Sequence, residues 1–444
     1  MTYSETIQFL YGLRLFGAKF GLENTFKLAA LAGNPQAKLR FIHVAGTNGK
    51  GSTCAMLESI YRAAGLRVGL FTSPHLVSFR ERIQVNRRLI SETEVTRLAE
   101  ELRAVQNVAG EAPAKGRRDA CPTFFEFVTV MALRFFADQE CDLVIWETGL
   151  GGRLDATNIV TPLASVITNI AFDHQQWLGD TLEAIAAEKA GIIKPGVPVI
   201  TATDAPEAMA VIKRIAEERH APFATVAAGV NPPPDSGISA ALAAVLPLGG
   251  EHQKVNAALG VATVEILQPQ IPVSEEAVRA GLASVIWPGR LQLIQRTDRQ
   301  AILLDGAHNE AGAAALRAAL EKDFAGVRPV IIFGALADKK WRAICKILAP
   351  VAASVLTVPV ASDRTAAAAD LTAAFRAASP GLEAATAANL EDALNACNDK
   401  PFVVITGSLY LVGEALERLG FSPAGAGERG LNEWSAPPNK QISQ

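Results

Sequence analysis

Cysteine is scarce in this chain, and its spacing excludes two chemistries. Cys54, Cys121, Cys141, Cys345 and Cys397 are odd in number and show no C-x-x-C spacing. Neither a zinc site nor a disulfide framework is expected, and the five read as reduced thiols of a cytoplasmic protein. Long apolar runs are missing too. The most apolar stretch, Thr123 to Ala137, is interrupted by Glu126 and Arg134 and is too short to span a bilayer. Basic charge is not in excess: 42 Lys and Arg face 45 Asp and Glu, a net charge of −3. A nucleic-acid partner is therefore not expected, because nothing would neutralise its phosphates. No basic region followed by an apolar core opens the chain, so no secretory leader is expected either. What remains is an ordinary globular composition, 49% hydrophobic and 20% charged, over 444 residues. That length suits two or three domains.

One segment stands out against this background: Phe41-Ile42-His43-Val44-Ala45-Gly46-Thr47-Asn48-Gly49-Lys50-Gly51-Ser52-Thr53. An apolar, β-branched run breaks into three glycines around one lysine, and a helical pattern (Met56, Leu57, Ile60, Tyr61, Ala64) follows at once. Strand, tight loop and helix N-terminus together make an anion cradle, with the lysine as an added point charge. The expected ligand is a nucleoside triphosphate. The loop departs from G-x-x-x-x-G-K-[ST] at two places. Val44 sits where the first glycine belongs, and Gly51 replaces the magnesium-binding hydroxyl. The hydroxyl must then come from elsewhere, or the loop is only a glycine turn with a solvated lysine.

Short apolar runs alternate with helical patterns along most of the chain. Candidate strands are 39–45, 67–71, 142–146, 164–169 and 197–201, each spaced for an intervening helix, the mark of a parallel sheet covered on both faces. The pattern restarts near Pro288-Gly289-Arg290, with candidate strands at 301–304, 330–333, 354–358 and 402–405 and alanine-rich helices such as 311–320. The expected fold is α/β, a phosphate-loop parallel-sheet domain over 1–290 and a smaller Rossmann-like α/β domain over 291–422. The segment 229–250, with its Pro232-Pro233-Pro234 run, reads as a surface excursion, and 423–444 as a disordered tail.

Polar residues close several strands, where α/β folds place their ligands. Ser73, in Thr72-Ser73-Pro74-His75, offers a hydroxyl or a plain turn cap. Glu147 ends an apolar strand before the glycine-rich run Thr148–Gly152; it suits a magnesium ligand or a salt bridge to Arg153. His174, after Asp173, closes a third strand and completes a mixed hydroxyl, carboxylate and imidazole set, softer than magnesium prefers. Lys189, beside Glu188, reads on its own as solvated surface. Asp305 and His308, in Asp305-Gly306-Ala307-His308-Asn309, suit a ribose contact or a helix cap. Arg290 lies where a linker arginine could reach a phosphate or simply face water.

Taken together, these residues resemble the folylpolyglutamate synthase and dihydrofolate synthase family of the Mur ligase superfamily, from about Tyr11 to Gly413. Six blocks occur in family order: Gly46–Ser52, Thr72–Glu81, Glu147–Asn158, Asp173–Gly179, Glu188–Gly196 and Asp305–Asn309. The resemblance implies that Thr47, Asn48, Gly49, Lys50, Gly51 and Ser52 hold ATP phosphates and that Asn256, Arg290 and Asp305 also contact ATP. It implies Ser73, Glu147 and His174 as magnesium ligands, and Lys189 as a carbamylated lysine serving a second magnesium. It implies that Thr123, Phe124, Phe125 and Glu126, with Leu154, Asp155 and Ala156, line the pterin side of the acceptor pocket. Thr148, where the family usually has valine, and Trp177 are the departures noted, and neither is an implied ligand.

The implied reaction is ATP-dependent ligation of L-glutamate to a folate or dihydropteroate carboxylate through an acyl phosphate. Lys50, Lys189 and His308 are the implied catalytic residues, with a monomer the expected state. Two rivals stay open. One is a Mur-type ligase with another acceptor, against which the pterin-side segments argue. The other is a P-loop ATPase or kinase that needs no glutamate.

Overall fold

The computed structural model describes residues 1–14, 21–108, 122–226, 246–296, 300–421 and 428. The expected surface excursion falls mostly on 227–245, outside the described residues, as does Cys121. The other four cysteines are buried and unpaired. Among the described residues, no helix is long and apolar enough to cross a membrane.

The first sheet has eight strands: β1 Phe41–Ala45, β2 Val68–Phe71, β3 Ile83–Val85, β4 Arg88–Leu89, β5 Leu143–Glu147, β6 Ala164–Ile167, β7 Val199–Thr201 and β8 Phe223–Thr225. Their spatial order is β4-β3-β2-β5-β1-β6-β7-β8. The β3 and β4 strands run antiparallel in a hairpin at one edge; the rest are parallel. Every residue of β1 and β5 is buried, as befits parallel strands covered on both faces. The chain winds to one side after β1 and crosses to the other after β5, so the switch point lies at β1. A crevice opens there beyond the carboxyl ends of the strands.

The helix Lys50–Ala63 runs from that crevice under the sheet, packed on the helices Glu251–Leu267 and Glu275–Ala283. Met56, Leu57, Ile60 and Tyr61 on it are fully buried, each apolar side chain contributing roughly 1.5–3 kcal/mol. This burial is what holds the glycine loop at its N-terminus in place.

The second sheet has six strands: β9 Gln292–Gln295, β10 Ala301–Leu304, β11 Val330–Phe333, β12 Ser354–Thr357, β13 Glu383–Thr386 and β14 Phe402–Thr406. The order is β13-β12-β11-β14-β10-β9, parallel except for β9. The expected strands are all present, within a residue or two at their ends. The β3–β4 hairpin, β8, β9 and β13 are additional; they are short edge strands, too brief for the alternation that marks a strand in sequence.

The tail expected to be disordered, 423–444, lies outside the described residues except at Glu428, and there the expectation is corrected. Glu428 is buried against the first domain. Its carboxylate accepts from Ser78 Oγ at 2.9 Å and from the Phe79 amide at 2.6 Å. Its carbonyl accepts from His75 Nε2 at 2.9 Å.

Candidate active site

A cavity of about 730 Å³ lies between the carboxyl ends of the two sheets. From the first domain it is lined by the loop Gly46–Ser52, Ser73, Glu147–Gly151, Asp173, His174 and Lys189. From the second come Asp305–His308, Lys339, Arg364 and Ser408–Tyr410.

The glycine loop is pinned from below by the segment after β6. The Thr47 amide donates to the Asn169 carbonyl at 2.8 Å, and the Asn48 amide to Asn169 Oδ1 at 2.7 Å. Thr168 Oγ1 donates to the Asn48 carbonyl at 2.6 Å. Gly49 caps the helix with φ +86°, a left-handed backbone that favours glycine, and any side chain there would strike Asn256. The missing loop hydroxyl also has a steric reason. A Cβ on Gly51 would stand 2.8 Å from Trp287 Cζ2, inside the indole's van der Waals surface. Lys50 Nζ folds back on its own loop, donating to the carbonyls of Gly46 at 3.1 Å and Thr47 at 3.2 Å.

Glu147 lies at the end of β5 with Ser73 beside it; the Ser73 amide donates to Glu147 Oε2 at 3.0 Å. Burial pushes the Glu147 carboxyl up to about 7, against the opposing pull of Lys50 and that hydrogen bond. A buried carboxylate next to a hydroxyl and a phosphate cradle suits a cation. The salt bridge to Arg153 is not formed: Arg153 pairs with Glu188 at 2.7 Å. His174 lines the same cavity, its imidazole kept neutral by burial and by the Lys339 charge. Among the described residues no three His, Cys, Asp or Glu side chains form a ready-made metal cluster. Ser73, Glu147 and His174, the implied magnesium ligands, all line this cavity.

Lys189 is fully inside the protein, so the reading of it as solvated surface is overturned. Its Nζ donates to the Gly46 carbonyl at 2.8 Å, and burial, helped by the nearby Lys50, lowers its pKa to about 7. Compared with an ordinary surface lysine, this amine has a substantial neutral, nucleophilic fraction near neutral pH.

In the second domain, Asp305 spends both oxygens on backbone: the Leu291 amide at 3.0 Å and the Ala307 amide at 2.9 Å. It thereby ties the linker to the strand end. Arg290 Nη1 donates to the Gly289 carbonyl at 3.3 Å, and its charge reaches Glu147 across the cavity. His308 Nδ1 meets the Gly306 carbonyl at 2.8 Å, which fixes the ring. Asn256 holds Gln253 Oε1 at 3.0 Å and lines the cavity.

The pterin-side residues lie elsewhere. None of Thr123, Phe124, Phe125, Glu126, Leu154, Asp155 and Ala156 is among the described cavity-lining residues. Thr123 and Glu126 form a capping box at the start of the helix Phe124–Asp138. The Phe125 ring packs against Gly149, and Arg82 lies 5.4 Å from the Phe124 ring centroid. Asp155 takes the amides of Gly149 at 3.0 Å and Leu150 at 2.8 Å and so shapes the cavity wall from behind. Phe125 and Asp155 thus back the Gly149–Leu150 wall of this cavity from behind.

Sequence reasoning passed over Arg82, Asn169, Lys339 and Ser408. Arg82 is a buried arginine whose Nε donates to His75 Nδ1 at 2.9 Å, and burial lowers its pKa to about 10. It follows Arg80 and Glu81 in the chain, so nothing local marks it as buried. Lys339 carried no signal either, being one of three charges in a row.

A Mur ligase middle domain model matches residues 44–231, and a Mur ligase glutamate ligase domain model matches residues 289–409. The dihydrofolate synthase/folylpolyglutamate synthase of Bacillus subtilis is 37% identical over 444 residues, covering 94% of this chain and 99% of that protein. A Mycobacterium tuberculosis folylpolyglutamate synthase complexed with ADP superposes with a TM-score of 0.83 at 31% identity, over 95% of this chain and 100% of that one. E. coli FolC in complex with DHPP and ADP gives 0.81 at 31% identity, over 95% and 98%. With likeness of this extent in both sequence and fold, the chain belongs to the folylpolyglutamate synthase/dihydrofolate synthase family of Mur ligases.

Proposed function

We propose that this chain is an ATP-dependent ligase that joins L-glutamate to the carboxylate of a folate, and to dihydropteroate as a first acceptor. The observation that carries the reading is the shared cavity. One wall is a phosphate cradle with a buried carboxylate beside it, and the other is a ring of polar strand ends from a second domain. We divide the two at Arg290 and Leu291, where the linker meets Asp305. The relatives are named for both activities, which supports both acceptors.

In the first step an acceptor carboxylate oxygen attacks the γ-phosphorus of ATP, and ADP leaves. In the second the glutamate amine attacks the acyl carbon, the bond to phosphate breaks, and the amine sheds a proton. Thr47, Asn48, Gly49, Gly51 and Ser52 present the loop to the phosphates. Lys50 exchanges its two loop carbonyls for phosphate oxygens and spreads the charge that develops on them. Arg290 adds positive charge from the linker, while Asn256 and Asp305 border the rest of the nucleotide. Ser73, Glu147 and His174 suit magnesium, which when bound neutralises phosphate charge. Lys189, whose buried amine is partly neutral near pH 7, is poised to capture carbon dioxide as a carbamate and so become a further anionic ligand.

The test is phosphate release by the purified protein with ATP, magnesium and glutamate, with dihydropteroate in one tube and tetrahydrofolate in another. Glutamate-dependent release in both supports the dual reading. Release in one alone narrows the acceptor. Release without glutamate supports a simple ATPase, and silence in both tubes supports a different acceptor.

A further inference from the structure

One carboxylate of the first domain takes most of its partners from the second. Asp173 follows β6 in the segment that pins the phosphate loop. Its Oδ1 accepts from Lys339 Nζ at 2.6 Å and from the His174 amide at 2.8 Å. Its Oδ2 accepts from Asn309 Nδ2 at 3.1 Å and lies 3.6 Å from His308 Nε2. His174 Nε2 stands 3.9 Å from Oδ1. The Asp173 and Lys339 side chains are only 9% and 12% exposed, so this is not a solvated surface pair.

The neighbouring contacts repeat the crossing. The Asn309 amide that reaches Asp173 also donates to Asn48 Oδ1 at 2.9 Å, and Asn48 Nδ2 returns a bond to Asn309 Oδ1 at 3.3 Å. The Lys340 ammonium lies 5.5 Å from the Phe172 ring centroid. The dipeptide Phe172-Asp173 is thus gripped by the loop after β11 and the turn after β10, and the phosphate loop is held in the same grip through Asn48.

We propose that Asp173 is a positioning residue that latches the second domain over the phosphate loop and holds His308 turned into the cavity. The inference rests on the ligase reading above. An acyl phosphate hydrolyses unless water is kept away until the amine arrives, and domain closure is the means the fold offers. Removing either partner leaves the other charge unpaired in the closed state, which disfavours closure without touching the phosphate cradle itself. Such a defect has a signature that simple destabilisation lacks. The acyl phosphate still forms, but water takes a share of it.

The experiment measures phosphate released and glutamyl product formed side by side, with ATP, magnesium, glutamate and tetrahydrofolate, in wild type, Asp173→Asn, Lys339→Gln and the double variant. The latch predicts a wild-type ratio of one phosphate per product. In each single variant the ratio rises to about two or more and ligation falls about tenfold. The double variant is then no worse than the worse single one, because both act on one contact. Lys339→Gln leaves the His174 side uncut, so it decides the matter if Asp173→Asn disturbs metal binding. Ratios that stay at one, or effects that multiply, overturn the latch. Loss of all phosphate release in Lys339→Gln also overturns it and puts that lysine in phosphoryl transfer. If wild type itself gives no glutamate-dependent release, it is the ligase reading that fails.

Discussion

The two walls of the cavity are built differently. The first-domain wall is centred on backbone, the glycine loop locked by hydrogen bonds from Thr168 and Asn169 and carried on a largely buried helix, with Glu147, His174 and Lys189 set around it. The second-domain wall is side chain: His308, Lys339 and Arg364 reach in from turns after strands. A preformed cradle suits phosphate, which is the same in every turnover. Long polar side chains suit what must arrive, react and leave. On the ligase and latch proposals above, the first wall sets whether activation happens and the second what becomes of the activated group.

The largest expected effect breaks the first wall. Lys50→Ala is expected to lower ADP formation about 10³-fold or more, because Lys50 is the cation carried by the loop itself and folded onto its carbonyls. Rapid-quench measurement of ADP checks it, and near-normal turnover would remove the loop from phosphoryl transfer. Next comes Lys189. Stripping carbon dioxide from the enzyme is expected to lower activity several-fold, and added bicarbonate to restore it. With the pKa lowered to about 7 by burial, the neutral amine needed for the carbamate is the majority form above pH 7 and the minority below. Recovery is therefore expected to be faster at the higher pH, and Lys189→Ala is expected to show no bicarbonate response. The same lowered pKa means the folded protein sheds this proton before the unfolded chain does. Its contribution to metal-free stability therefore worsens as pH falls toward 7 and levels off below.

A subtler test concerns the hydroxyl missing from the loop. Gly51→Ser pushes a side chain into Trp287, an overpacking cost of about 1–3 kcal/mol. The expected fall in melting temperature is recovered in part by Trp287→Leu in the same chain, and additive losses would show that the indole is not the obstacle. The smallest effect is a control outside both walls. Arg153 is 55% exposed in its pair with Glu188, so Arg153→Ala is expected to cost under about 1 kcal/mol. Ligation should be unchanged within error.

The same contrast explains what was legible in the sequence. Gly46–Ser52 and Glu147 could be read directly, since glycines beside a lysine after an apolar strand, and an acid closing one, have few other physical explanations. The parallel sheets followed from apolar runs spaced by helices. Lys189 could not be read from its neighbours, because only the fold shows that its helix end is covered by Gly46. Asp173 could be read beside His174, but Lys339 lies 166 residues on and meets it only across the two domains, so no local pattern pairs them. Thr123 and Glu126 carried a capping-box spacing, and the structure uses them as one. The side chain of Asp155 is likewise committed to backbone amides, a role that a glycine-rich stretch followed by Asp allows but does not announce.

The central claim is that ATP is spent here to attach glutamate. The most direct measurement is mass spectrometry of the acceptor, alongside ADP, after incubation of the full chain with ATP, magnesium, glutamate and tetrahydrofolate or dihydropteroate. The account predicts one added glutamyl residue per ADP formed. ADP accumulating over an unchanged acceptor, with glutamate present, would contradict it.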